Sequence, residues 1–123
     1  MVLVDSSVWI AHFRERQPEL VDLLTEGLVF MHPSIYGELA CGNLKNRASL
    51  LSDLNALPQA HRVSDADAMH LLDVRKLWGR GLGWVDVHLL AAALVSNCLF
   101  WTLDKRLDRT VAELGVGYRS GRR

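Results

Sequence analysis

Four carboxylates stand where carboxylates can do chemistry. Asp5 ends the short β-branched run Val2-Leu3-Val4, and Asp104 ends the apolar run CLFWTL at 98–103. In an open parallel sheet, ligands bind beyond the carboxyl ends of the strands, so both acids point at the expected binding edge. Glu38 keeps helical spacing with Ile35, Leu39 and Gly42, and Asp86 with Leu89, Leu90 and Ala93. Each acid is thereby expected on an apolar, inward stripe. Taken singly, Asp5 and Asp104 also fit as N-caps or turn residues, Asp86 as a helix cap and Glu38 as the partner of an arginine. Taken together, four acids on four elements are expected to face inward and meet in one place.

Such a meeting needs a cation. Two carboxylates about 4 Å apart repel by about 4 kcal/mol at an effective dielectric of about 20. A cluster of three or four therefore requires protonation or a bound positive ion. No His or Cys ligand set accompanies the acids, and an all-oxygen site suits a hard ion, Mg²⁺ with Mn²⁺ as a substitute. Such an ion keeps water and phosphate oxygens in its shell, which matches phosphodiester hydrolysis. His12, His32, His61, His70 and His88 share no spacing and include no HExxH, so they are expected to be structural or exposed. His88, two residues after Asp86, is the exception to watch.

The elements that must position these acids follow from pattern. Strands are expected at 2–4, 28–31 and 98–103, with a last edge strand at 116–118. Helices are expected over 8–14, from Pro18 to a stop at Gly27, from Pro33 to about Cys41, and over 44–57, 65–78, 85–96 and 105–114. Short apolar strands alternating with helices predict an α/β fold, a mostly parallel sheet with helices on both faces. No linker or repeat divides the chain, so residues 1–123 form one domain.

Composition excludes other classes. Half the residues are apolar and 23% are charged, which excludes a disordered or fibrous chain. The N-terminus lacks a basic region, and the longest apolar run, Leu89–Val95, is far shorter than a membrane span. The sequence reads as cytoplasmic. Cys41 and Cys98 have no metal-site spacing and are expected to be reduced core thiols. Trp9, Trp78, Trp84 and Trp101 are expected in the core or at a subunit interface, with base stacking the lesser alternative for Trp84. Net charge is zero, yet residues 1–74 hold five basic and ten acidic residues while 75–123 hold nine and four.

Four segments in order, VLVDSSVWI at 2–10, SIYGELACG at 34–42, WVDVHLLAAAL at 84–94 and LFWTLDKRL at 99–107, resemble a PIN-domain ribonuclease of the VapC toxin type. The resemblance implies a three-layer α/β/α sandwich around a mostly parallel sheet. It places Asp5, Glu38, Asp86 and Asp104 in a catalytic metal site, with Asp5 and Asp86 as direct ligands and Ser7 as a supporting hydroxyl. Glu38 and Asp104 then bind through water, complete a second ion or position the attacking water. It also implies an RNA substrate, a homodimer and a cognate antitoxin. Where the family often carries another acid two residues after the fourth motif's Asp, this chain has Arg106, and the nearest further acid is Asp108. Whether one metal binds or two, and whether Asp108 contributes, stays open.

Lys105, Arg106 and Arg109 beside Asp104, and Arg75, Lys76 and Arg80 as a second group, are candidates to hold RNA phosphates. Arg119, Arg122 and Arg123 at the end of the chain either touch RNA or fray. The competing class is a non-catalytic PIN-fold module that binds RNA or protein, against which clustered acids count because they repel phosphate. A receiver domain or aspartate-nucleophile phosphatase is disfavoured: the position two after Asp5, where the phosphatase needs a second acid, is Ser7.

Overall fold

In a computed structural model, described over residues 1–119, three short parallel strands form the centre of the molecule. They are β1 (Val2–Val4), β2 (Val29–Phe30) and β3 (Leu99–Trp101), in the order β2-β1-β3. Register pairs Val2 with Val29 on one side and Val2 with Leu99 on the other. Each edge gains one further parallel bridge, Met31 to Gln59 and Phe100 to Gly117. The expected edge strand at 116–118 is thus a single bridge, tied by Phe100 N–H to Val116 O and Tyr118 N–H to Phe100 O.

Seven helices surround the strands: α1 (Ser6–Arg14), α2 (Pro18–Thr25), α3 (Pro33–Ala40), α4 (Arg47–Asn55), α5 (Asp65–Val74), α6 (Trp84–Val95) and α7 (Lys105–Glu113). Their starts are chemically marked. Asp5, His32, Ser64 and Asp104 accept from backbone N–H groups as side-chain N-caps, and Pro18 and Pro33 occupy first helical positions, where a missing N–H is harmless. The helices pack in two sets, α1 with α3 and α3 with α4, then α5 with α6, which also lies against β3. Leu3, Val4, Val8, Ile35, Leu90, Phe100 and Val111 are fully buried between strands and helices, giving an α/β sandwich. Helix α6 buries six residues, Val87 and the run Leu89–Ala93, in keeping with its Leu/Ala composition.

The strand order sets the site. From β1 the chain crosses to β2 on one side and then over β1 to β3 on the other. The carboxyl ends of β1 and β3 flank that reversal, the crevice where open α/β sheets bind ligands. No helix of the described residues is long and apolar enough to cross a membrane.

Some expectations change. Cys98 is buried, but Cys41 caps α3 on the surface, and both are free thiols. Trp9 is buried, whereas Trp78 and Trp84 are exposed.

Candidate metal centre

Asp5 lies one residue past β1, buried at the start of α1. Its Oδ2 accepts from Ser7 Oγ at 2.6 Å, Thr102 Oγ1 at 2.9 Å and Ser7 N–H at 3.4 Å. Ser7 is therefore a positioning hydroxyl within α1 rather than its cap, and its Oγ in turn accepts from Leu103 N–H at 3.0 Å. Thr102 is the functional neighbour that residue patterns missed. It is buried, and its Oγ1 also accepts from Asp104 N–H at 3.1 Å, linking the Asp5 carboxylate to the Asp104 backbone. The signal was present as the single hydroxyl in the apolar run CLFWTL.

Asp104 follows β3 by three positions, with Thr102 and Leu103 between, and caps α7 through Oδ1 on Leu107 N–H at 3.0 Å. Asp86, in the first turn of α6, accepts from Gly83 N–H through Oδ2 at 2.9 Å. Glu38 Oε2 accepts from Ser6 Oγ at 2.7 Å, bringing α3 to the residue beside Asp5.

The expectation that all four acids face inward is corrected. Asp5 is buried and Asp86 half-buried, but Glu38 and Asp104 are exposed. Ile35 and Leu39 form the buried stripe of α3, and Glu38 sits about 100° round the helix from Leu39, at the edge of that stripe. Among the described residues no three His, Cys, Asp or Glu side chains are drawn into a ready ligand shell. The reason is tethering, since each acid spends one oxygen on a hydroxyl or helix N-terminus. Its second oxygen has no hydrogen bond, and none of the four acids has a Lys, Arg or His partner, among the described residues.

The electrostatics tie three of them together. Burial pushes the Asp86 carboxyl above the usual carboxylate range, the Gly83 N–H draws it back, and the charges of Asp5 and Asp104 push it up further. Hard oxygen donors, mutual repulsion and no cationic side chain fit a divalent ion held by one or two carboxylates and completed by water. Asp108 does not join them, because its Oδ1 accepts from Arg119 Nη1 at 3.0 Å.

The structure also sorts the basic candidates. Lys105, Arg106 and Arg109 are exposed on α7. Arg80 pairs with Glu113 of α7, whereas Arg75 caps α5 and lines a groove between α5 and α6, so the second basic group is split. Lys76 adopts a left-handed backbone just beyond α5. Arg122 and Arg123 lie outside the described residues.

Three histidines make structural contacts, and His61 and His70 are exposed. His88 Nε2 lies 2.9 Å from Asp65 Oδ1, with its ring edge-on to Trp84. His12 Nδ1 accepts from Gln17 N–H. His32 is 4% exposed and caps the helix that carries Glu38, its Nδ1 accepting from Ser34 N–H at 3.0 Å. Burial, then the charges of Arg62 and His88, lower its pKa to about 4. A histidine held neutral in the fold gives stability that is complete above its unfolded pKa and lost as pH falls. Stability should therefore drop between about pH 6.5 and 4, by on the order of 2 kcal/mol after allowance for solvent. Melting curves across that range should be flatter for His32→Asn, which keeps an acceptor cap without the titration; an unchanged pH slope overturns this role.

The PIN domain family model matches residues 2–113. The chain belongs to the PIN-domain family. This PIN domain is 45% identical over 117 residues to Ribonuclease VapC32 of Mycobacterium tuberculosis, strains CDC 1551 / Oshkosh and ATCC 25618 / H37Rv, covering 94% of either chain, which makes it a VapC-type member. Its fold matches the crystal structure of PAE2754 from Pyrobaculum aerophilum with a TM-score of 0.56 at 14% identity, over 93% of this chain and 88% of that one.

Proposed function

We propose that this PIN domain is a Mg²⁺-dependent endoribonuclease, a toxin that hydrolyses phosphodiester bonds in RNA and is neutralised by a cognate antitoxin in the cytoplasm. One observation carries the reading: four carboxylates from four helices at one sheet edge each keep a free oxygen and lack a cationic partner among the described residues. The 45% identity to a protein named as a ribonuclease supports RNA as the substrate.

In this mechanism Asp5 and Asp86 bind the ion directly, and Mn²⁺ substitutes for Mg²⁺. An ion held there would supply Lewis-acid polarisation of the phosphate and would make water a better nucleophile. Ser7 and Thr102 fix the Asp5 carboxylate by donating to its Oδ2, so the opposite oxygen is aimed without rearrangement. Glu38 and Asp104, exposed on either side, orient the attacking water. That water would give up a proton as it adds to phosphorus, the P–O bond to the leaving nucleotide would break, and the leaving oxygen would take up a proton.

Two surfaces support the proposed partners. A groove of about 490 Å³ has Ile10, Phe13, Leu39 and Leu44 in its walls together with Glu38, so an antitoxin segment seated there would cover that acid. Val74 and Val95, each 58% exposed, flank the groove between α5 and α6 and suit a homodimer contact, which sedimentation of Val74→Asp tests.

The deciding experiment incubates the purified chain with total RNA, with Mg²⁺ or with EDTA, and sequences the new ends. Discrete cuts that need the ion are expected. RNA bound but left intact under both conditions would leave a binding module instead. Growth arrest on expression, relieved by the product of a short adjoining reading frame, tests the toxin pair.

A further inference from the structure

A second cleft, about 600 Å³, opens between α7 and the segment 79–83 that leads into α6. One wall is α7, whose N-cap is Asp104, and the other is the turn 79–81, just ahead of the helix that carries Asp86. Arg106, Arg109 and Glu113 fall three and four residues apart and share one face of α7. Across from them Arg80 is ion-paired with Glu113. Gly81 has a left-handed φ of +79, and a Cβ there would lie 2.7 Å from Arg106 Nη1, so the guanidinium lies close over bare backbone. A side chain at 81 would displace it.

The charges do not cancel. Three arginines share the cleft with one carboxylate, and neither Arg106 nor Arg109 has an ion-pair partner among the described residues. Asp108, the nearest acid on the same helix, is occupied by Arg119. Two free, planar guanidinium groups on one helix face suit phosphate oxygens, which they can hold through paired N–H bonds.

We infer that this cleft is a phosphate subsite that holds the RNA backbone beside the cut bond, with Glu113 competing against phosphate for Arg80. The inference rests on the nuclease reading for its substrate, and its chemistry is separable from cleavage. Arg106 and Arg109 supply the sequence-independent grip. Arg80 joins them when a phosphate displaces the Glu113 carboxylate.

The test measures binding of a fluorescein-labelled single-stranded oligoribonucleotide by anisotropy, in EDTA and across a salt series. Each phosphate contact to a single strand adds about 0.7 to the slope of log K against log salt, or about fourfold in affinity near 0.15 M. The Arg106→Gln/Arg109→Gln double variant should bind about tenfold more weakly, with a slope shallower by about 1.4. Glu113→Gln, which frees Arg80, should bind about threefold more tightly; this opposite sign guards against a folding defect. In cleavage assays the double variant's loss should fall mainly on KM. Unchanged affinity and slope in the double variant, or weaker binding by Glu113→Gln, overturns the subsite even if the wild type cuts RNA. Weakened binding by the double variant, in a chain whose wild type cuts no RNA with Mg²⁺, keeps the subsite and removes the nuclease reading.

Discussion

Asp86→Asn is expected to reduce RNA cleavage by at least about 100-fold and, in the absence of metal, to raise the melting temperature. The two effects share one cause. Burial and the charges of Asp5 and Asp104 hold the Asp86 carboxyl above the usual range, partly offset by the Gly83 N–H. A carboxyl whose folded pKa is raised stabilises the fold at pH values below its unfolded pKa, and that contribution is lost as pH rises through the folded value. At neutral pH the ionised Asp86 is therefore a cost to the metal-free fold. Asparagine keeps an acceptor for the Gly83 N–H, which lies 2.9 Å from Asp86 Oδ2, and discards the charge. Cleavage of a labelled RNA and metal-free calorimetry check the two halves. Wild-type cutting by the variant ends the assignment of Asp86, and a lowered melting temperature shows that its charge is not a strain on the fold.

Adding Mg²⁺ or Mn²⁺ to the wild type is expected to raise its melting temperature, because an ion that binds only the folded state stabilises it by mass action. At a hundredfold excess over Kd the gain is about 2.7 kcal/mol, or roughly 10 °C for a domain of this length. Asp5→Asn should remove most of that shift. Its carboxylate is buried and already accepts from Ser7 and Thr102 through one oxygen, so the amide can keep those bonds while losing the charge that holds the ion. Scanning calorimetry in matched NaCl separates this from screening. No response to either ion overturns the metal site, as does a full response in Asp5→Asn.

The positions of Asp5 and Asp104 at strand ends were legible because a β-branched or apolar run followed by Asp is a local signal. Thr102 was harder to read. Its hydroxyl looks like one more strand residue until β3 lies beside β1 and brings it to Asp5, 97 positions away in the chain. Glu38 lies on the expected helix but at the edge of its buried stripe, since periodicity fixes a face only to within about one residue, roughly 100°. The parallel bridge from Met31 to Gln59 left no mark in sequence at all. Pro58-Gln59-Ala60 has no alternation, and its pairing is decided by the unpaired backbone groups that Met31 offers at the sheet edge.

Local pattern was enough to read the α/β class, most helix starts to within a few residues and the four candidate acids, because strand runs, caps and apolar stripes act over short distances. Only the fold brings Ser6 to Glu38 and Thr102 to Asp5, turns Asp108 to Arg119, and takes Arg80 from Arg75 to α7. Those outcomes depend on which residues distant in the chain come within hydrogen-bond reach, and that distance is set by the order β2-β1-β3 and not by any local preference.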